Sequence, residues 1–276
     1  MKSVVIVPNY NGESFIINII NDLINGFDHV LIIVVDDFSS DGSVKLLKSY
    51  GKSQVKLIER GVNGGFAAAV NTGLKYCIKN KIDFVLVSNS DVRMSRHNCK
   101  DIAMQFKKFK NPKIGVLGFL QADLTIYRDN ENTSGFLFAL RTRMIDTVGY
   151  LDETFFMYGE EYDFFRRVME SGFLIEQTGL KIQHEAEMSS RSSDGSRNAW
   201  LSIRNSVYLE VKKGNFALIL RKIIVLFLII NKIHQPKDKH DPSLVRVTRV
   251  GILKGNWYLI RSILWNIDNK YRSKNA

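Results

Sequence analysis

A chain of 276 residues, 45% of them hydrophobic and 24% charged, is long enough to bury a sizeable core, which excludes a disordered or collagen-like polymer. The 39 Lys and Arg against 28 Asp and Glu leave a net charge of +11, which by itself would point to nucleic acid or an anionic membrane surface. The distribution narrows this: Glu210–Ala276 carry 14 basic and 4 acidic residues, net +10, and residues 1–209 hold 25 against 24, net +1.

The elements follow in chain order. Ser3–Val7 is a short β-branched run stopped by Pro8; Phe15–Leu23 has helical apolar spacing; Val30–Val35 is a second strand stopped by Asp36-Asp37. Then come a helix at Val44–Tyr50, a strand at Val55–Glu59, a Gly-containing turn, a helix at Phe66–Lys79 and a strand at Phe84–Val87. Continuous apolar strands alternating with helices predict an α/β fold with a mostly parallel sheet flanked by helices. Ligands of such sheets bind beyond the carboxyl ends of the strands, where the polar clusters of this chain fall.

Past Lys113 the pattern becomes irregular. A strand at Ile114–Leu120 precedes a polar stretch to Asn132, an apolar segment Gly135–Leu140 and a helix start at Arg143. The segment Gly149–Arg167 has the highest density of aromatic and acidic residues, and Leu180–Gln183 reads as a strand. The Ser-rich stretch Ser189–Asn198 reads as a mobile loop. Phe216–Ile230 and Ile252–Ile267 are apolar, helix-compatible segments with interleaved Lys and Arg.

Two cysteines, Cys77 and Cys99, make neither a disulfide framework nor a four-ligand zinc site, which points to a reducing compartment. The N-terminal apolar stretch is too short for a signal peptide. The longest apolar run, Ile223–Ile230, is eight residues against the roughly 20 of a spanning helix. The expected location is therefore the cytoplasm, with the tail a candidate for peripheral attachment to the inner membrane face.

Five blocks stand in a telling order: Val7-Pro8-Asn9-Tyr10-Asn11, Val35-Asp36-Asp37-Phe38-Ser39-Ser40-Asp41-Gly42-Ser43, Asn63-Gly64-Gly65-Phe66 through Asn71, Asn89-Ser90-Asp91-Val92, and Tyr158-Gly159-Glu160-Glu161-Tyr162-Asp163. Together, over Val4 to about Asn205, the chain resembles glycosyltransferase family 2, and most of all its bacterial surface-polysaccharide members, including the rhamnosyltransferase-like group. The resemblance implies a GT-A-like (Rossmann-like) catalytic domain over residues 1–209, followed by a helical C-terminal extension over 210–276. It also implies an inverting transfer of a sugar from a nucleotide diphosphate, such as dTDP-rhamnose or a UDP-hexose, to a hydroxyl of a polysaccharide or lipid-linked acceptor, with a divalent metal such as Mg or Mn.

Each block has its own chemistry. Pro8, Tyr10 and Asn11 leave the first strand on the ligand edge. Asp36 and Asp37 end a buried strand, where a carboxylate either accepts bonds from a base N–H or ribose hydroxyl or caps the following helix, a task for which Ser39, Ser40 and Asp41 are better placed; Asp36 matches the more regular family position. Asn63, Gly65 and Phe66 either line the donor pocket, with glycine N–H groups left free for an anion, or form an ordinary turn. Asn89 and Asp91 stand where the resemblance puts the metal motif, with one carboxylate in place of two; the alternative for Asp91 is a helix cap. His184 matches the downstream metal ligand of the family and is otherwise a structural histidine.

Glu160, Glu161 and Asp163 form the acidic cluster. An inverting transfer needs a carboxylate opposite the leaving group, and repulsion between adjacent acids raises the pKa of one. Glu160 and Asp163 share a helix face that Glu161 does not. The resemblance makes Glu161 the base, with Glu160 and Asp163 as alternatives. Tyr158 and Trp200 are candidates to stack on sugar rings.

For the tail, an apolar stripe with indoles and flanking cations suits either an anionic membrane surface or packing against the catalytic domain or a second subunit, which makes a homo-oligomer the rival partner. No nucleic-acid module is present. A nucleotidyltransferase would want a Gly-rich basic loop after the first strand. A catalytically silent carbohydrate- or membrane-binding subunit with the same fold is the alternative from outside the enzymes.

Overall fold

The computed structural model describes residues 3–51, 53–122, 135–185, 195–213 and residue 265, with side chains of 195–213 from Leu201 onward. Two compact units divide between Ser192 and Ser193.

In the first unit, β1 (Ser3–Asn9), α1 (Ile16–Gly26), β2 (Val30–Asp36), α2 (Ser43–Tyr50), β3 (Val55–Glu59), α3 (Gly65–Lys79) and β4 (Phe84–Ser88) follow the expected alternation. After these come β5 (Val92–Arg93), α4 (Arg96–Gln105), β6 (Ile114–Gln121), β7 (Leu137–Arg141), α5 (Ile145–Val148), α6 (Glu160–Glu170) and β8 (Leu174–His184). The eight strands form one sheet in the order β3-β2-β1-β4-β7-β6-β8-β5. β1 pairs in parallel with both β2 and β4, β6 with β8 likewise, while β7 runs antiparallel to β4 and β6, and β5 antiparallel to β8. The strand order reverses direction at β1 and β4, so a crevice opens between their carboxyl ends.

Strand alternation divides the interior in two. Val5, Val7, Ile32 and Val34 face α1 and α4 in one core, whose helix side is Ile16, Ile19, Ile20 and Leu23. Val4, Ile6, Ile33 and Val35 face α3, α5 and α6 in the other, with Leu74, Phe164 and Val168. Both faces of the central strands are thus buried, which is why their sequences are continuously apolar. Each fully buried Leu or Ile contributes about 1.5–3 kcal/mol relative to exposure.

Several expectations are refined. β1 runs through Pro8 to Asn9 instead of stopping at Val7. Ser3 N–H donates to His29 O and Asn9 O accepts from Asp37 N–H, so odd residues of β1 bond β2 and even residues face β4. Pro8 faces the β4 side, where pairing ends at Ile6–Val87, so its missing N–H costs no ladder bond. β8 extends from Leu174, well before the expected Leu180, because its half-exposed residues carry little apolar signal. A bridge of this strand to Val92-Arg93 makes β5, which was not expected.

In the second unit, α7 (Gly195–Lys213) begins inside the stretch expected to be a loop; residues 186–194 lie outside the described residues. The helix also runs across the expected boundary at 209–210. Within this unit Trp265 packs edge-on against Tyr208, with ring centroids 5.3 Å apart, and lies 4.4 Å from the Arg204 guanidinium. The segments Phe216–Ile230 and Ile252–Ile267 otherwise lie outside the described residues. Among the described residues, no helix is long and apolar enough to cross a membrane.

Gly73 marks the tightest approach of α3 to the sheet, since a Cβ there would stand 2.7 Å from Ile6 Cγ2. Gly73→Val should therefore lower stability by on the order of 2 kcal/mol, read as a reduced denaturation midpoint in urea, because the added Cβ already crowds the Ile6 side chain.

Candidate active site

The loops leaving β1 and β2 are sewn together by side chains. Asn9, buried, donates through Nδ2 to Asp36 Oδ1 at 2.8 Å and Ser43 Oγ at 3.1 Å. Ser39 donates to Asp36 through both its N–H, at 3.0 Å, and its hydroxyl, at 2.6 Å. Asn11, at φ 51°, accepts from Ser40 N–H through Oδ1 and donates its own N–H to Ser39 Oγ. Asp36 is thus a buried strut of the loop, and the start of α2 is served instead by Asp41, which accepts from Ser43 N–H. Tyr10 and Phe38 stand exposed beside these struts.

Asp37 reaches the other way. Its Oδ2 accepts from Gly65 N–H at 2.7 Å, its Oδ1 from Gly64 N–H at 3.1 Å, and Arg60 Nε lies 3.2 Å from Oδ1. The glycine N–H groups expected to be free are therefore taken by a carboxylate of the same chain, at the positive end of α3. Burial raises the Asp37 pKa, opposed by these two N–H bonds and by Arg60. Asn63 Oδ1 also accepts from Gly65 N–H, and Phe66 is half-buried against the second core. Gly65 sits at φ +84°, and a Cβ on it would stand 2.0 Å from the Phe156 carbonyl oxygen, so both the conformation and the space require glycine.

At the end of β4 the structure brings Asn89, Asp91 and His184 together. His184 Nε2 lies 3.0 Å from Asp91 Oδ1, across 93 residues of sequence, and 3.4 Å from Asn89 Nδ2. Antiparallel pairing of Val92 with His184 creates this meeting. On its other side, His184 Nδ1 lies 3.3 Å from Gln121 Oε1, and Phe136 stacks on the ring at 5.0 Å. Asp91 does not cap the next helix; Ser95 and Asn98 do so with a reciprocal capping box.

These donors suit a hard divalent cation. A 3.0 Å separation of a carboxylate oxygen and an imidazole nitrogen is close to that of neighbouring ligands about 2.1 Å from an octahedral ion. Asn89 turns its Nδ2 toward His184, and its Oδ1 is a buried acceptor with no partner. No cluster of three or more His, Cys, Asp or Glu stands among the described residues, so other oxygens would have to complete such a shell.

The acidic cluster divides into unlike roles. Asp163, fully buried, accepts from Arg167 Nε at 2.9 Å and Arg166 Nη2 at 3.2 Å, so its charge is compensated. Glu160 is buried, with Oε2 lacking a partner, and its carboxyl is pushed up to about 8, first by burial and then by the Glu161 charge. Glu161 is half-buried, and burial raises its pKa as well. Its Oε2 accepts from Gly159 N–H at 3.0 Å. The expected repulsion between the adjacent acids is present, but desolvation outweighs it. The backbone leading to the pair is strained at Phe156 and Tyr158, both at positive φ. Tyr158 is exposed beside Glu160, while the side chain of Trp200 lies outside the described residues.

Asn9 and Asn71 appear in the sequence blocks and Arg60 at a strand end, but no role was assigned to them, nor to Gln121 and Phe136. Asn71 had one further signal, a polar residue on the alanine-rich face of α3; the roles of the others come from partners distant in sequence.

With this geometry in place, comparison with known proteins is informative. The profile of Glycosyl transferase family 2 matches residues 4–164, more than half of the chain, and the chain belongs to that family. Among curated relatives, it is 22% identical over 229 residues to the low-salt glycan biosynthesis hexosyltransferase Agl10 of Haloferax volcanii, covering 73% of each chain. It is 32% identical over 112 residues to the minor teichoic acid biosynthesis protein GgaB of Bacillus subtilis, covering 39% of this chain and 12% of that one. Likewise it is 32% identical over 108 residues to the poly(ribitol-phosphate) beta-N-acetylglucosaminyltransferase TarS of Staphylococcus aureus, covering 37% of this chain and 18% of that one. The matches thus span less than a fifth of the GgaB and TarS chains. Among solved structures, mannosyltransferase PcManGT from Pyrobaculum calidifontis, in complex with GDP-Man and Mn2+, superposes with TM-score 0.61 at 16% identity, over 98% of this chain and 88% of that one. TarS 1–349 of S. aureus superposes with TM-score 0.55 at 18% identity, over 93% and 72%. These likenesses establish the GT-A glycosyltransferase fold.

Glu160 supplies a pH test. Its carboxyl keeps a proton to about pH 8 in the folded chain and loses it near the ordinary 4.5 when unfolded, so between these values the folded state binds more protons and stability falls as pH rises. Glu160→Gln should melt like the native chain at pH 4.5 and higher by about 5 °C at pH 8, measured by scanning fluorimetry across that range.

Proposed function

We propose that this chain is an inverting, metal-dependent glycosyltransferase that moves a sugar from a nucleoside diphosphate to a hydroxyl of a cell-surface glycan or its lipid-linked precursor. The observation that carries the reading is the meeting of Asp91 and His184 at 3.0 Å beside the β1–β4 crevice, where a sheet of this kind binds its ligand. Support comes from the relatives, named for glycan and teichoic acid synthesis, and from the GDP-Man and Mn2+ of the mannosyltransferase neighbour.

In this reading the nucleotide lies along the carboxyl ends of β1–β4. Pro8, Tyr10, Asn11, Asp36, Asp37, Asn63, Gly65, Phe66 and Asn89 form its surroundings, Asp36 and Asp37 chiefly by holding the loops in shape. Asp91 and His184 would hold a Mg or Mn ion, which would supply charge compensation for the pyrophosphate. Glu161, anchored through one oxygen by Gly159 N–H, takes the proton of the acceptor hydroxyl as that oxygen bonds to C1. The bond from C1 to the phosphate oxygen breaks on the opposite face, the nucleoside diphosphate leaves, and the anomeric configuration inverts. The alternatives fit this role less well: Asp163 is paired with Arg166 and Arg167, and burial holds the Glu160 carboxyl up at about 8. The donor is a UDP-hexose or dTDP-rhamnose.

Glu161→Gln and Asp91→Ala should each lower donor turnover by about 100-fold or more, followed as released nucleotide from a donor panel; near-native rates in both variants would sink the assignment. Nucleotide binding without turnover on any acceptor would instead favour a silent carbohydrate-binding subunit.

The net charge of +10 on Glu210–Ala276, interleaved with aliphatic and indole side chains, supports docking of the tail on an anionic membrane surface from the cytoplasmic side. The full chain should cosediment with vesicles containing phosphatidylglycerol, and less so at 0.5 M than at 0.05 M salt, roughly as screening over a Debye length dictates. Equal sedimentation with neutral vesicles would argue against this, and a concentration-dependent dimer without lipid binding would assign the tail to self-association.

A further inference from the structure

The acids of α6 are reached through the loop Gly149–Gly159, and α3 holds that loop at two points. Near the N-terminus of α3, Gly65 lies against the Phe156 carbonyl, too close to admit a Cβ. Six residues further, about 9 Å along the axis, Asn71 projects from the same helix. Its side chain is 1% exposed, and all of its amide groups bond this loop: Nδ2 donates to Leu151 O and Glu153 Oε1, both at 2.9 Å, and Oδ1 accepts from Leu151 N–H at 3.0 Å. A buried amide in an alanine-rich helix face is costly unless fully bonded, and here its bonds also satisfy the N–H and C=O of Leu151.

The far side of the loop is tied to α6 itself. Arg167 donates to Val148 O and Tyr150 O while its Nε holds Asp163. The order of attachment is therefore the glycine loop, α3, Asn71, Leu151, and then the acid helix.

We propose that Asn71 is a positioning residue that fixes Glu161 relative to the donor loop, so that the Asn71–Leu151–Glu153 clasp governs the transfer step rather than donor binding. This rests on the transferase reading above. It follows from the geometry that α3 carries both the Gly64–Gly65 turn held by Asp37 and the amide that orients the acid-bearing loop. Loss of the clasp would leave the first attachment intact and free the second, and displacements near 1 Å of a catalytic group cost rate far more than binding.

The test uses the full chain with Asn71→Ala and Glu153→Ala, the latter removing only the bond to an exposed carboxylate. For Asn71→Ala, kcat should fall about 10-fold or more, while donor KM and the Kd for the free nucleoside diphosphate stay within about 3-fold. For Glu153→Ala, the same split should appear at about 2- to 5-fold in kcat. A kcat within 2-fold of native in folded Asn71→Ala would overturn the proposal, as would equal losses of kcat and nucleotide affinity. Were Asn71→Ala to misfold, Glu153→Ala decides alone by the same criterion. If the native chain turns over no donor, the transferase reading fails by itself, and hydrogen exchange then reads the clasp: faster exchange confined to 149–163 in Asn71→Ala supports it, and unchanged exchange there overturns it.

Discussion

A buried carboxylate at the end of β2 organises the rest of this molecule. Asp37 holds the Gly64 and Gly65 N–H groups and the Arg60 guanidinium, and so pins the start of α3 to the carboxyl edge of the sheet. Desolvation works against the charge, and the helix N-terminus and the arginine offset it. Everything α3 carries inherits that placement: the Gly65 contact with Phe156, the Asn71 clasp on Leu151, and through them the entry to the acid helix.

The two halves of the site are built on different principles. At the carboxyl ends of β1 and β2, hydrogen bonds among Asn9, Asn11, Asp36, Ser39 and Ser40 join adjacent loops through small polar residues. At the start of α6, burial raises the pKa of both Glu160 and Glu161, and the segment before them holds Phe156 and Tyr158 at positive φ. Hydrogen bonds fix the geometry of the first, while desolvation makes the carboxylates of the second more basic.

Much of the first half was legible in sequence because its signals are local. The runs Val30–Val35 and Val55–Glu59 and the helical spacing of Ile16, Ile19, Ile20 and Leu23 mark elements regardless of what packs on them. The second half was less so. β8 is half-exposed along most of its length, β5 is two residues long, and the Ser-rich approach to α7 looks like a loop, so pattern alone underreads all three. Among the candidate site residues, Asp91 and Glu161 stood out through the family blocks and His184 through its match to a downstream family position, whereas the compensation of Asp163 by Arg166 and Arg167 needed the turn of α6 to bring them together.

By itself the sequence determined the α/β alternation, the polar residues at each strand end, the family, and the confinement of the positive charge to the tail, because periodicity, order and charge are properties of the chain. Tertiary structure alone decided that the glycine N–H groups are occupied by Asp37, that Asp36 is a strut, that His184 meets Asp91, and that Asn71 grips the loop before the acids. The reason is physical. A hydrogen bond or a desolvated charge depends on which groups folding brings within about 3 Å, and residues 71 and 151, or 91 and 184, carry no mark of their partners until the sheet and its helices place them.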